Sequence, residues 1–245
     1  MDQRIFITGA SSGIGECLVY HYARQGARLG LAARRGEVLR SIADKCEQLG
    51  GHTHVYPLDV TDQAACKAAA GDFITNNSRI DLLIANAGKS GDDHLETGDP
   101  TRINQILTTN LLGVTNIVFP FTPHFIAQQA GTVVVISSIA GVRGLPRRGG
   151  YSSSKAAVKV MANSMRFTLS KHNVRVTTIY PGFIRTPMTA SRKTIMPFLM
   201  DVELAATKIA KAIAAGKNNY LFPWQWRWLM PIIKIIPDFI VGKVV

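Results

Sequence analysis

Short apolar runs alternate along this chain with stretches of helical spacing. Gln3–Thr8 is strand-like and runs into Gly9-Ala10-Ser11-Ser12-Gly13-Ile14-Gly15. Beyond that turn, Ile14, Cys17, Leu18 and Tyr22 recur at the spacing of one helix face. Arg28–Ala33 and Thr53–Leu58 are further strand candidates, and between them Arg35–Leu49 predicts a helix stopped by Gly50-Gly51. An alanine-rich helix is expected from Thr61, its candidate cap, to Thr75, and a strand over Ile80–Ala85. A long helix is expected from Thr101 to Gln129. It should bend or break near Pro120 and Pro123, because proline removes an N–H and clashes with the preceding turn. Thr132–Ser137, rich in β-branched residues, reads as a buried strand, and Tyr151–Lys171 as a helix. Val174–Tyr180 is a strand that stops at Pro181-Gly182. Val202, Ala205, Ala206, Ile209 and Ile213 line one helix face, and Asn219–Phe222 is a last short strand.

This alternation predicts an α/β fold: a single-domain, Rossmann-type, doubly wound parallel sheet of about seven strands with helices on both faces. Residues 1–222 form the expected domain and residues 223–245 an apolar extension. The 245-residue length and 47% hydrophobic content suffice for a large core and exclude disorder. Charge is uneven. Residues 1–122 carry 11 basic and 13 acidic side chains, whereas residues 123–245 carry 17 and 3. An anionic ligand, an anionic membrane surface or nucleic acid would each suit such a half. Nucleic acid is not expected, since no reading motif or basic–aromatic stripe accompanies the charge. Cys17, Cys46 and Cys66 lack metal-ligand spacing and suit a reducing compartment, and the expected location is cytoplasmic. No signal peptide is apparent, and no apolar stretch reaches the ~18 residues of a spanning helix.

The first glycine-bearing turn has the spacing G-x-x-x-G-x-G between a strand and a helix. Such a turn lets backbone approach a pyrophosphate at the helix N-terminus, where free N–H groups and the helix dipole favour anions. In dinucleotide folds an acid about 20 residues on binds the ribose 2′-OH, and an arginine there suits a 2′-phosphate. Here that region reads Ala33-Arg34-Arg35 without an acid, which predicts NADP(H) over NAD(H), with Arg34 the more telling cation. Further on, Tyr151 and Lys155 are spaced i, i+4 on one helix face. Tyrosine, with a pKa near ~10, is a poor base at neutral pH, and a neighbouring ammonium favours its phenolate.

Taken together these motifs resemble the short-chain dehydrogenase/reductase family over residues 3–222. Thr8-Gly9-Ala10-Ser11-Ser12-Gly13-Ile14-Gly15 resembles the family's cofactor loop, and Asp59-Val60 its adenine-contacting pair. Asn86-Ala87-Gly88 resembles the sheet-end motif, with Ala85 in place of the usual first Asn. Pro181-Gly182-Phe183-Ile184-Arg185-Thr186 resembles the turn that holds the nicotinamide amide, which implicates Pro181, Gly182, Ile184 and Thr186. The resemblance implies a tetrad of Asn110, Ser138, Tyr151 and Lys155, Ser138 being chosen over Ser137 because it lies 13 residues before Tyr151. Tyr151 would pass a proton to or from the substrate oxygen and Ser138 would hydrogen-bond that oxygen. Lys155 would hold the cofactor ribose and lower the tyrosine pKa, and Asn110 would hold a water linking Lys155 to solvent. The implied activity is an NADP(H)-dependent carbonyl reductase or alcohol dehydrogenase, and the alternative is a non-catalytic NADP(H)-binding module. A homodimer or homotetramer is implied by resemblance, through the two long central helices.

Residues 187–200 correspond to a substrate lid, whose Met188, Ile195, Met196, Phe198 and Met200 suit a hydrophobic carbonyl or alcohol. Arg143, Arg147, Arg148, Arg192 and Lys193 flank the expected mouth, for an acidic substrate or for solvent. Asp92, Asp93, Glu96 and Asp99 read as a solvated acidic loop. The extension holds Trp224, Trp226 and Trp228 among isoleucines, with Arg227, Lys234 and Asp238 on one polar stripe and with Pro231 and Pro237 limiting any helix. Peripheral membrane contact and packing over the lid or a subunit interface are the competing expectations.

Overall fold

The computed structural model describes residues 3–190 and 195–237. Its main sheet takes strands in the order β3-β2-β1-β4-β5-β6-β9. They are β1 (Arg4–Thr8), β2 (Arg28–Ala33), β3 (His52–Pro57), β4 (Leu82–Ala85), β5 (Thr132–Ile136), β6 (Arg175–Pro181) and β9 (Asn219–Phe222). Every neighbouring pair is parallel. The strand order reverses between β1 and β4, so the crevice at their carboxyl ends is the place where such sheets bind ligands. A separate two-stranded parallel ladder pairs β7 (Ile184–Arg185) with β8 (Met200–Asp201), and the short helix α7 (Pro187–Ala190) follows β7.

Strand side chains alternate between two apolar layers because the period of a strand is two. Ile5, Ile7, Leu29, Leu31, Leu82, Ile84, Val134 and Ile136 join the layer beneath α1 (Gly13–Ala23), α2 (Gly36–Gln48) and α8 (Val202–Ala214). Phe6, Leu83, Ala85, Val133 and Val135 join the layer beneath α3 (Gln63–Asn77), α5 (Gly113–Gln128) and α6 (Gly149–Leu169). In the second layer Phe6 meets Phe73 at 5.4 Å and Phe121 at 5.0 Å between ring centroids, distances at which aromatic pairs attract. The expected face of α8 is borne out: Ala205, Ala206, Ile209 and Ile213 are buried and Val202 packs at the edge.

Two local expectations change. The cap of α3 is Asp62, whose carboxylate accepts from Ala65 N at 2.9 Å, while Thr61 turns back to Asp59. The long central helix does not break at its prolines. It is α4 (Thr101–Leu107), a π-helical turn over Thr108–Leu112, then α5 running through Pro120 and Pro123. The carbonyls those prolines leave unpaired, on Asn116 and Phe119, belong to residues that reach solvent. The irregularity sits instead around Asn110, and π turns of this kind recur at functional sites.

Candidate active site

The turn after β1 is held from below. Thr8 Oγ1 accepts from the backbone N–H groups of Asn86 and Ala87, both at 3.1 Å, and Asn86 Nδ2 donates to Thr8 O and Gly9 O. Gly9 and Gly13 have φ of +66° and +61°, which L side chains rarely adopt. At Gly15 a Cβ would overlap the Gly9 carbonyl, so only glycine lets α1 begin this close to the strand. Ser12, at the N-cap of α1, makes no side-chain capping bond, which leaves the first-turn amides of Gly13, Ile14 and Gly15 without that acceptor. These amides fit a pyrophosphate. A Cβ on Gly13 would lie 3.2 Å from Thr186 Cγ2, so the turn after β6 closes over the same cradle.

The cations after β2 divide their work differently from the expectation. Arg35 reaches the loop: its Nη2 donates to Ser11 O at 2.8 Å and Ser11 Oγ at 3.0 Å. Arg34 faces Asp59, 3.8 Å away, with its side chain largely in solvent. Asp59 also accepts from Thr61 N and Oγ1, each at 2.9 Å. Arg35 is therefore the cation in contact with the loop, and Arg34 is turned to Asp59.

The tyrosine–lysine pair lies on α6. Lys155 is buried, donates to Ile136 O at 2.8 Å, and has Nζ 5.8 Å from the centroid of the half-buried Tyr151 ring. Burial alone lowers its pKa from 10.5 to about 8. Ser138 lies two residues past β5 and accepts from Ala140 N at 3.1 Å, capping the short turn Ile139–Val142. A hydroxyl that accepts within the protein still has its hydrogen to donate to a bound oxygen. Ser137 Oγ instead donates to Lys155 O at 2.8 Å, which makes it a clamp between β5 and α6.

Asn110 is fully buried and fastens the backbone beside this pair. Its Oδ1 accepts from Lys89 N at 2.7 Å, and its Nδ2 donates to Lys89 O at 2.9 Å and Ser154 Oγ at 3.0 Å. A Cβ on Gly88 would lie 3.3 Å from Asn110 Oδ1 and 3.7 Å from Lys155 Nζ, so the three positions converge. The four residues of the expected tetrad thus gather at the carboxyl ends of β4 and β5. Val60, by contrast, packs in the core beside α5.

Asp93 is the residue that sequence reasoning missed. It is buried, not solvated, and its carboxylate takes the N–H groups of Gly149 and Gly150, the latter at 3.0 Å. A carboxylate there satisfies free amides and meets the positive end of the α6 dipole, two residues before Tyr151. Nothing local marks it, because the partners are 56 and 57 positions apart. Asp92 beside it pairs with Arg147 at 3.0 Å and Arg148 at 3.1 Å. Arg143 donates to Ile233 O at 2.8 Å and Ile236 O at 2.6 Å. Three of the mouth cations are therefore engaged within the protein, and Arg192 and Lys193 lie outside the described residues. Asp93→Ala should cost on the order of 2 kcal/mol of stability, read by urea unfolding, and should lower kcat more than cofactor affinity. Unchanged stability and kcat would show that the cap does not hold Tyr151 in place.

A cradle of free amides at the switch point of a parallel sheet, with a buried lysine beneath a tyrosine next to it, defines an oxidoreductase of the Rossmann type. The chain belongs to the short-chain dehydrogenase family, whose model matches residues 3–196. It is 34% identical over 232 residues to an uncharacterized oxidoreductase of Myxococcus xanthus, covering 95% of this chain and 92% of that one. It is 34% identical over 245 residues to the 11-beta-hydroxysteroid dehydrogenase-like 2 of Arabidopsis thaliana, covering 96% of this chain and 78% of the relative. An alcohol dehydrogenase from Thermococcus sibiricus, solved with 5-hydroxy-NADP, superposes with a TM-score of 0.82 at 25% identity, covering 91% of this chain and 96% of that one. The family binds a nicotinamide cofactor, and the glycine cradle fits one.

Proposed function

We propose that the protein is an NADP(H)-dependent reductase or dehydrogenase acting on the carbonyl or secondary alcohol of a hydrophobic substrate, with Tyr151 as acid and base. The observation that carries this reading is the burial of Lys155 beneath the Tyr151 ring, with no carboxylate bonded to its ammonium among the described residues. A cation kept there at a cost to folding is explained by what it does to the phenol. It favours the phenolate and so brings the tyrosine into range for proton transfer near neutral pH. Ser138 donates its hydrogen to the substrate oxygen and orients it, while Tyr151 gives the proton in reduction and takes it back in oxidation. Gly9, Ser11, Ser12, Gly13, Ile14 and Gly15 hold the pyrophosphate, and Pro181 to Thr186 hold the amide end. A bound nicotinamide supplies or accepts the hydride at the carbon of that carbonyl. Asn110 acts by fixing Lys89 and the wall around Lys155.

Preference for the 2′-phosphorylated cofactor rests on two adjacent arginines, Arg35 bonded to Ser11 and Arg34 facing Asp59, with no acid at the end of β2. The cofactor analogue bound in the Thermococcus alcohol dehydrogenase is consistent with it. A hydrophobic substrate is supported by the engagement of Arg143, Arg147 and Arg148 within the protein. Exposed Met188, Ile195 and Phe198 around the lid, and the name of the Arabidopsis relative, point the same way. Exposed Leu112 at the end of the π turn, Phe119 on α5, and Val160 and Phe167 on α6 support self-association through those helices. The test is oxidation of NADPH and of NADH across a panel of carbonyls of graded length and charge. NADPH should be favoured. Replacing Arg34 and Arg35 together by Ala should raise its KM about 10–100-fold while leaving that of NADH within a few-fold. Equal efficiency with both cofactors, unmoved by the substitution, would overturn the cofactor assignment.

A further inference from the structure

Beyond the catalytic centre, the helix after β9 poses a problem the reaction does not answer. This helix, α9 (Gln225–Ile235), passes through Pro231 and ends before Pro237. One face is fixed. Trp226 and Met230 are buried, and the Trp226 ring meets Phe183 at 6.0 Å and Phe198 at 5.8 Å. A Cβ on Gly182 would lie 2.5 Å from Trp226 Nε1, so the indole is seated directly on the turn after β6. The two Arg143 bonds to Ile233 O and Ile236 O then pin the end of the helix to the turn after Ser138. The helix cannot rotate to bury its other face.

That other face is apolar and lies in solvent. Trp224, Trp228, Ile232 and Ile235 follow one another at helical spacing and are 68%, 71%, 54% and 79% exposed. Arg227 and Lys234, seven residues apart, run along one flank and are exposed as well. At the other end of the Trp226 contact, the lid adds Phe198 and the 91% exposed Ile195. Single exposed apolar residues are ordinary, but a stripe of this size next to a site is a contact surface.

We propose that this face docks on an anionic membrane surface and sets the lid against the bilayer. Two features choose the occupant. Tryptophan with flanking cations suits the boundary between headgroups and acyl chains. Charge beside the face is complementary as well: α9 itself carries Arg227 and Lys234 and no carboxylate side chain. A second copy is a poorer occupant. An antiparallel two-fold contact through this face would bring Arg227 of each copy against Lys234 of the other, like charge on like. Among the described residues no helix is long and apolar enough to cross a membrane, so the contact is one of surface.

The test is flotation of the full-length protein with vesicles of phosphatidylcholine alone and of phosphatidylcholine mixed with phosphatidylglycerol. The protein should float with the mixed vesicles, and less at high salt. Trp224→Ser with Trp228→Ser should weaken binding about tenfold or more. Arg227→Gln with Lys234→Gln should remove about tenfold or more of the preference for the anionic vesicles. Circular dichroism melts and cofactor binding should be unchanged in both variants, since the four side chains are exposed. Failure of the unsubstituted protein to float, or flotation indifferent to the tryptophans, would overturn the proposal. So would a drop in oligomer mass on tryptophan substitution without any vesicle binding, which would assign the face to a second copy.

Discussion

Tyr151→Phe is expected to lower turnover by about 10²–10⁴-fold, the range that a positioned acid or base contributes, while the affinity for cofactor stays within a few-fold. The substitution keeps the ring beside Lys155 and removes only the atom that exchanges the proton. Kinetics on the best carbonyl of the panel give the first quantity, and fluorescence titration of NADPH gives the second. Ser138→Ala should be the milder change, because it removes a hydrogen bond to the substrate oxygen but no proton carrier. Near-normal turnover of Tyr151→Phe would refute the acid–base assignment without touching the family membership, which rests on the match over residues 3–196.

What could be read from the sequence was what is local. Strands buried on both faces print as apolar runs, the glycines of the first turn answer to φ values and to the approach of Gly15 to the Gly9 carbonyl, and Tyr151 and Lys155 share a helix face by spacing alone. What the sequence hid depends on partners brought in from elsewhere. Asp93 reads as solvated because the amides it caps lie beyond α4, α5 and β5 along the chain. Arg143 reads as a mouth cation because its acceptors, Ile233 O and Ile236 O, are 90 and 93 positions away. Pro120 and Pro123 suggest a bend or break because the pattern carries proline's local cost but not the core packing of Ile117, Val118, Phe121 and Phe125 that holds α5 through them. The π turn at Asn110 has no such signature: its bonds run to Lys89 and Ser154, 21 and 44 positions away. The division between Arg34 and Arg35 was a matter of side-chain direction at the end of a strand, where one position turns a cation from Asp59 to Ser11.

Lys155→Met should make the protein more stable and nearly inactive. Holding an ammonium in that site moves its pKa from 10.5 to about 8 by burial. At neutral pH this penalises the folded state by about 3 kcal/mol, at about 1.4 kcal/mol for each unit. Methionine removes the penalty but leaves Ile136 O without its 2.8 Å donor, a loss of about 1 kcal/mol. The burial cost outweighs the lost bond, so the cofactor-free variant should gain on the order of 2 kcal/mol in urea unfolding at pH 7. The gain should depend on pH in a defined direction. Between pH 8 and 10.5 the unfolded chain holds the lysine proton and the folded chain does not. The unsubstituted protein is therefore stabilised by this group as pH rises through that window. The difference between the two proteins should shrink accordingly and reverse by about 1 kcal/mol, leaving only the orphaned carbonyl, once both states are deprotonated. Turnover should fall by about 10² or more at every pH, because Tyr151 loses the cation that favours its phenolate. A variant that is destabilised at pH 7, or whose stability difference ignores pH, would mean that Lys155 is not held as a buried, unpaired cation. A stable, inactive variant would show that the energy spent on burying it serves the tyrosine rather than the fold.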